Sequence, residues 1–163
     1  MTGRRLATRC ILAMAIVVLA GCAIPNRQTA PATAFWAGRI GLHIQSQPPQ
    51  NLSASFELQG SAECGELLLL SPLGSTLAQL NWTPQTVRLM QGTRQWTSGN
   101  LDQLTEQLTG TPLPVAALFD WLQGQATAPT GWQVDVSQWA QGRIQAERQH
   151  PAPVVQLQLV LER

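Results

Sequence analysis

Residues 67–80 read LLLLSPLGSTLAQL, two apolar runs joined by a short segment that contains a proline and a glycine. Pro72 fixes the backbone φ angle and Gly74 tolerates positive φ, so the middle of this stretch is typical of a tight turn between two strands. Leu73 then occupies the tip of the turn, where a polar residue is usual. Residue types alone leave two interpretations open: Leu73 folds back into the core, or it is displayed to contact lipid.

Alternating apolar and polar residues on both sides of this hairpin indicate further half-buried strands. The predicted strands lie at 40–44, 52–58, 67–70, 76–82, 87–91, around Trp96, and at 132–136, 143–148 and 155–161. Their short lengths and close spacing are typical of an antiparallel sheet that curls into a barrel or sandwich. The sequence therefore predicts a mainly β fold with a smaller α component.

Two helices interrupt the strands in the middle of the chain. Asn100 can cap the first helix, with Gln103 three residues later, and Gly110 can end it. The second is expected to start at Pro114, a residue suited to the first helical position, and to close at Gly124. Because the second helix is apolar on more than one side, it is expected to be covered on both flanks. The helices either fill the concave side of the sheet or cover a cavity there, and composition does not separate these.

The N-terminus has the three regions of a bacterial signal peptide. A basic start precedes an apolar run over 11–20, which is too short to span a bilayer. Residues 19–22, Leu-Ala-Gly-Cys, resemble the lipobox of bacterial lipoproteins, which implies that Cys22 becomes the acylated first residue of the mature chain. Ala23 in place of an aspartate implies the outer membrane. The alternative is an ordinary signal peptide with a chance cysteine.

These features divide the chain into a signal peptide (1–21), a flexible tether of small and polar residues (22–34) and one domain (35–163). No later segment is long and apolar enough to span a bilayer. The mature chain has seven arginines, no lysine and nine acidic residues, giving a net charge of about −2, so a nucleic-acid partner is not expected. Cys64 is left without a disulfide partner and is expected to be buried or incidental.

Signatures of catalysis and metal binding are absent from the sequence. It contains no G-x-S-x-G elbow, Walker loop, H-E-x-x-H or C-x-x-C motif, and His43 and His150 have no nucleophile beside them. No Cys/His cluster has the spacing of a metal site. We therefore expect no enzyme activity, no metal and no cofactor.

Several short motifs, in order and spacing, resemble the LolB family of outer-membrane lipoproteins across nearly the whole mature chain. They are Gly38-Arg39-Ile40, residues 69–76 around the Pro72–Leu73–Gly74 turn, residues 108–114 (LTGTPLP), residues 121–124 (WLQG) and residues 131–134 (GWQV). The chain departs from the family between Gly124 and Trp132, where it is shorter. The departure affects one strand or loop at the rim of the expected cavity.

The resemblance implies an unclosed antiparallel β-barrel with a helical lid over an apolar cavity. It implies a receptor that accepts client lipoproteins by their acyl chains from the periplasmic carrier LolA and inserts them into outer-membrane lipid. It assigns the membrane-insertion turn to Pro72, Leu73 and Gly74, with Leu73 protruding. We expect Phe56, Leu118 and Trp121 among the residues that line the cavity, and a monomeric protein.

Two other functions remain as alternatives. An anchored scaffold lipoprotein would have a filled barrel and a surface for a protein partner. An envelope hydrolase would need a nucleophile that the sequence does not reveal.

Overall fold

A computed structural model describes residues 34–162, and within them it contains nine strands, two α-helices and one short 3-10 turn. The strands are β1 (Phe35–Ile44), β2 (Gln50–Gly60), β3 (Gly65–Leu70), β4 (Thr76–Trp82), β5 (Val87–Gln91), β6 (Arg94–Ser98), β7 (Trp132–Asp135), β8 (Arg143–Arg148) and β9 (Val155–Leu161). The helices are α1 (Leu101–Thr109) and α2 (Val115–Leu122), and the 3-10 turn is Trp139–Gln141.

All nine strands form one antiparallel sheet with the order β6-β5-β4-β3-β2-β1-β9-β8-β7. Strands that are consecutive in sequence pair with each other, except β6 and β7, and the last strand, β9, also pairs with β1. In the described part of the chain β6 and β7 are the two edges of the sheet, so the barrel does not close. The predicted strands, helices and unclosed antiparallel architecture are confirmed.

Strand direction defines two ends of this sheet. The connections β1–β2, β3–β4 and β5–β6 lie at one end, which we call the Leu73 end because Leu73 is in the β3–β4 turn. Phe35 begins β1 at the opposite end, where it pairs with Gln59, and we call this the Phe35 end.

The two helices form the connection between the edge strands β6 and β7. Asn100 Oδ1 accepts a hydrogen bond from Gln103 N at 2.7 Å, as predicted for the start of α1. Gly110 ends α1 with φ at 75°, a left-handed conformation that favours glycine. Because a connection between opposite edges must cross the sheet, α1 and α2 pack over its concave face.

The core is solid towards the Phe35 end. The ring of Phe119 on α2 meets Trp36 with centroids 5.7 Å apart and Trp82 at 6.0 Å, both edge to face. Such pairs add roughly 0.5–1.5 kcal/mol beyond the apolar area they bury. This aromatic cluster fixes α2 on the strands and fills the space between them there.

Gly38 allows β1 and β9 to approach closely. A Cβ at this position would lie 2.2 Å from the carbonyl oxygen of Val160, whereas a Cβ at Gly41 in the same strand would meet only Gln158 Cβ at 3.9 Å. We expect Gly38→Ala to lower the free energy of unfolding by ~2 kcal/mol, because the backbone must shift. Gly41→Ala, the matched control, should raise it by about 0.5 kcal/mol. Urea unfolding measures both, and equal values would contradict this explanation of Gly38.

Several expectations from the sequence have different outcomes here. The signal peptide and Cys22 lie outside the described residues, as does the tether except for Ala34. Cys64 is a free thiol, but it is exposed in the β2–β3 turn rather than buried. Within residues 34–162 no helix is long and apolar enough to cross a membrane.

Candidate functional site

An apolar cavity of about 340 Å³ lies between the concave face of the sheet and the two helices. Leucines from β1 to β4 form much of its floor: Leu42, Leu52, Leu69, Leu77 and Leu80. Leu104 and Leu108 of α1 and Leu118 of α2 form its roof. The alternation of the strands explains this composition, since every second side chain of each strand points to the concave face.

The cavity is displaced towards the Leu73 end of the sheet. Ile44, Leu52 and Leu69 line it where their strands reach the connections of that end. Polar groups of Gln50, Gln91 and Thr109 stand at the same end of the wall. An apolar interior with a few polar groups at its rim is typical of a site for a hydrophobic ligand.

The three residues predicted to line the cavity lie in different places. Leu118 is in its wall, but Phe56 and Trp121 are not among the lining residues. Phe56 pairs with Gly38 and is buried in the core. The Trp121 indole N–H donates to Thr127 O at 2.7 Å, and its ring meets Trp132 at 6.0 Å, which directs it away from the cavity. The wall therefore contains Leu118 but neither of the two predicted aromatic side chains.

The helices are attached to the sheet unequally. Six of the eight residues of α2 are buried, whereas α1 buries only Leu104 and Thr105 among its nine. Segments with few buried apolar contacts open at the lowest free energy. Of the two, α1 is therefore the helix that moves more easily.

Residues 110–114 connect α1 to α2 at the Leu73 end, and we call this segment the elbow. Gln50 Nε2 of β2 donates to the carbonyl oxygen of Thr109, the last residue of α1 before the elbow, at 3.3 Å. The Thr105 hydroxyl accepts from Leu113 N at 3.0 Å and so closes the elbow on α1. These polar contacts hold the roof at the rim of the cavity.

Arg148 of β8 anchors the elbow from the other side. Its Nη2 donates to Thr111 Oγ1 and, at 3.5 Å, to Pro153 O, while its Nε has no partner among the described residues. The guanidinium also lies over the Trp132 ring, 5.8 Å from the centroid. Burial lowers the pKa of Arg148, because the charged form is poorly solvated there.

The β3–β4 turn presents Leu73 to solvent with 94% of its surface exposed. Gly74 N donates to Ser71 O at 2.9 Å, and Gly74 has φ at 80°. The Ser71 hydroxyl accepts from Leu73 N at 3.3 Å and from Ser75 N at 3.1 Å. Behind the turn, a bulge shifts the register between β3 and β4 at Leu69 and Leu70. Because its side chain is exposed, Leu73 does not fold back into the core.

We expect Ser71→Ala to loosen this turn, because two backbone N–H groups lose their acceptor. The amides of Leu73 and Ser75 should exchange faster with deuterated water, and stability should fall by about 1 kcal/mol. Ser75→Ala is the control, since no side-chain hydrogen bond is described for Ser75 in residues 34–162. Unchanged exchange at Leu73 in the Ser71 variant would contradict the role given to its hydroxyl.

Sequence analysis missed the residues that fix the roof and the turn. The signal for Ser71 was present, because serine is favoured at the first position of a turn. Gln50, Thr111 and Arg148 gave no such signal, since their partners are distant in sequence. In the described part of the chain, no cluster of His, Cys, Asp or Glu could hold a metal ion.

Comparison with known proteins identifies the family. A family model described as "Outer membrane lipoprotein LolB" matches residues 36–158, which include most of the sheet and both helices. The outer-membrane lipoprotein LolB of Cupriavidus metallidurans is 32% identical over 153 residues, covering 90% of this chain and 74% of that protein. The LolB of Cupriavidus necator is 28% identical over 169 residues, covering 89% and 86%.

A third relative, the LolB of Chromobacterium violaceum, is 27% identical over 150 residues, covering 87% of this chain and 79% of that protein. The matches thus extend over most of each protein rather than over one motif. The resemblance read from the turn, the elbow and the WLQG segment is confirmed, and the chain belongs to the LolB family of outer membrane lipoproteins.

Proposed function

We propose that the cavity beneath α1 and α2 holds the acyl chains of client lipoproteins, which this LolB-family protein takes from LolA and inserts into the outer membrane. The observation that carries the proposal is a partly open cavity of about 340 Å³ walled mainly by leucine, isoleucine, valine and alanine. The residues that line it include no carboxylate, imidazole, thiol or amine side chain, and LolB is a lipoprotein localisation factor rather than an enzyme family.

The energetics of an acyl chain explain why such a cavity is required. A triacylated client carries several dozen methylenes, and exposing each to water costs about 0.8 kcal/mol, a total on the order of tens of kcal/mol. Transfer between hosts therefore needs neither a nucleotide nor a covalent intermediate at this end. It needs a receptor that binds acyl chains better than the carrier does and less well than a bilayer.

Reception requires the roof to move. The cavity volume of about 340 Å³ is at the lower end of the ~300–1,000 Å³ that small-molecule sites occupy, too little for a triacylated client. Helix α1 is the mobile element, because it buries few residues and ends at the polar contacts of the elbow. Its outward movement would enlarge the cavity while the aromatic cluster keeps α2 in place.

Leu73 is the residue that touches lipid during delivery. Its turn is at the same end of the sheet as the rim of the cavity, so an acyl chain leaving the rim emerges beside it. Pro72 and Gly74 shape the turn, and the Ser71 hydroxyl fixes it. A rigid turn presents the leucine without first ordering the chain.

The protein is an outer-membrane protein held by a lipid anchor, for which Cys22 is the proposed acylation site. Its proposed partners are LolA, the client lipoproteins and outer-membrane lipid, and it acts as a monomer without a cofactor.

A transfer assay tests the proposal. Soluble protein comprising residues 23–163 is mixed with LolA that carries an acylated client, and the client is located by gel filtration. We expect the client to move to the receptor without ATP. Retention of the client on LolA at every receptor concentration would overturn the proposed function. The scaffold alternative predicts a filled barrel, and the cavity argues against it.

A further inference from the structure

Three large apolar side chains are exposed near the Phe35 end of the domain, on the side away from Leu73. Phe35 is 57% exposed, Val160 is 45% exposed and Trp139 is 38% exposed. Phe35 and Trp139 border a shallow cleft of about 540 Å³, and the Trp139 indole N–H donates to Leu122 O at 3.0 Å. Side chains of this size grouped at one end of a small domain mark an interaction surface.

Two arginines flank the exposed valine. Val160 of β9 pairs with Arg39 on β1 and with Arg143 on β8, and both arginines are exposed. Residues directly opposite one another in a sheet share a face, with Cβ atoms roughly 4.5–5.5 Å apart. Phe35 shares this outward face of β1 with Arg39, because the two are four residues apart along the strand.

The surroundings of this group are polar and partly acidic. Glu57 pairs with Ala37 on the neighbouring row of the same face, and Glu162 follows the last strand. Arg39 and Arg143 therefore form a local positive charge on a chain whose mature net charge is about −2. Two guanidinium groups around exposed Phe and Val side chains favour a ligand that offers phosphate groups next to hydrocarbon.

The number of residues between Cys22 and Phe35 limits how far this end of the domain can lie from a bilayer that holds the acylated Cys22. Twelve residues separate Cys22 from Phe35, and a chain of this length spans at most roughly 45 Å. An acylated Cys22 therefore keeps this end of the domain close to the bilayer at high effective concentration. Aromatic side chains and arginines are favoured at membrane interfaces with anionic headgroups.

We propose that Phe35, Val160, Arg39 and Arg143 form a second membrane-contact surface, which rests on anionic phospholipid. It is separate from the Leu73 turn, which lies at the opposite end of the sheet. This inference rests on the proposed anchor at Cys22 and is independent of acyl-chain reception. Its consequence is that the anchored domain has a preferred orientation on the membrane, with the Phe35 end held down.

The test uses the full lipidated protein in vesicles that contain a brominated phospholipid, with or without phosphatidylglycerol. In a Cys64→Ser background, Val160→Cys carries a bimane label, and Met90→Cys carries the same label as control, because Met90 is similarly exposed at 41%. We expect quenching at position 160 to exceed quenching at position 90 by at least about twofold when phosphatidylglycerol is present. Equal quenching at the two positions would overturn the proposal.

A charge variant tests the role of the two arginines. Arg39→Gln combined with Arg143→Gln should remove the dependence on phosphatidylglycerol, since each arginine contributes attraction to the anionic surface. Arg88→Gln combined with Arg94→Gln, two exposed arginines of β5 and β6, is the matched control and should keep the dependence. The proposal fails if both pairs behave alike.

Other occupants of the surface would give different results. Bimane fluorescence at position 160 that brominated lipid does not quench, but that changes when LolA is added or when protein density in the vesicles rises, would overturn the lipid assignment in favour of the carrier or a second copy. Client reception and delivery, measured on the same variants, separate failure of this surface from failure of the proposed function.

Discussion

Leu73→Glu is expected to impair delivery of the client to membranes severely while client transfer from LolA is retained. Leu73 is 94% exposed, so its replacement removes no packing from the fold or the cavity. Burying a leucine side chain in an apolar medium contributes about 1.5–3 kcal/mol, and a carboxylate in its place adds a desolvation penalty. Delivery should therefore slow by more than about tenfold, since 1.4 kcal/mol corresponds to a factor of ten.

Two assays separate the effects of this change. Reception is measured by client transfer from LolA in solution, and delivery by incorporation of the client into liposomes. Leu73→Met is the control and should deliver normally, because it keeps an apolar side chain at the tip. Loss of reception and delivery to the same degree would show that Leu73 serves packing.

Ala78→Phe is expected to block reception without unfolding the protein. Ala78 lines the cavity from β4, so the added ring would project into a space of about 340 Å³. Each methylene displaced from the cavity weakens acyl-chain binding by about 0.8 kcal/mol, so reception should fall by more than tenfold. Filling an apolar cavity commonly stabilises a protein by about 0.5–2 kcal/mol, so the melting temperature should stay the same or rise.

Ala116→Phe provides the matched control for this variant. Ala116 lies in α2 with its side chain exposed, so the same substitution leaves the cavity unchanged. It should receive clients normally in the same transfer assay. Normal reception by Ala78→Phe, at an unchanged melting temperature, would argue that acyl chains bind elsewhere.

Local sequence signals predicted most of the fold. Alternation with a period of two located the strands, and the Asn100 cap and Gly110 marked the limits of α1. The exposed position of Leu73 followed from Pro72 and Gly74 together with the family resemblance. These features depend on residues close in the chain, where backbone preferences and hydrophobic periodicity act directly.

The cavity wall could not be predicted to the same level. Periodicity identifies the apolar face of a strand or helix, but it does not say where along that face facing side chains fail to meet. Phe56 faces the core yet lies outside the wall, because a close-packed aromatic group occupies the Phe35 end. Arg148 holds the elbow through Thr111, which is 37 residues away, and such pairing follows from topology alone.

Crosslinking from the ligand is the most direct test of where acyl chains bind. A client lipoprotein with a photoactivatable diazirine near the end of one acyl chain is transferred from LolA to the receptor, irradiated and mapped by mass spectrometry. We predict adducts on cavity residues of both floor and roof, such as Leu69, Leu77 and Leu118. Adducts confined to the outer face of the sheet, for example at Met90, would contradict the proposed cavity.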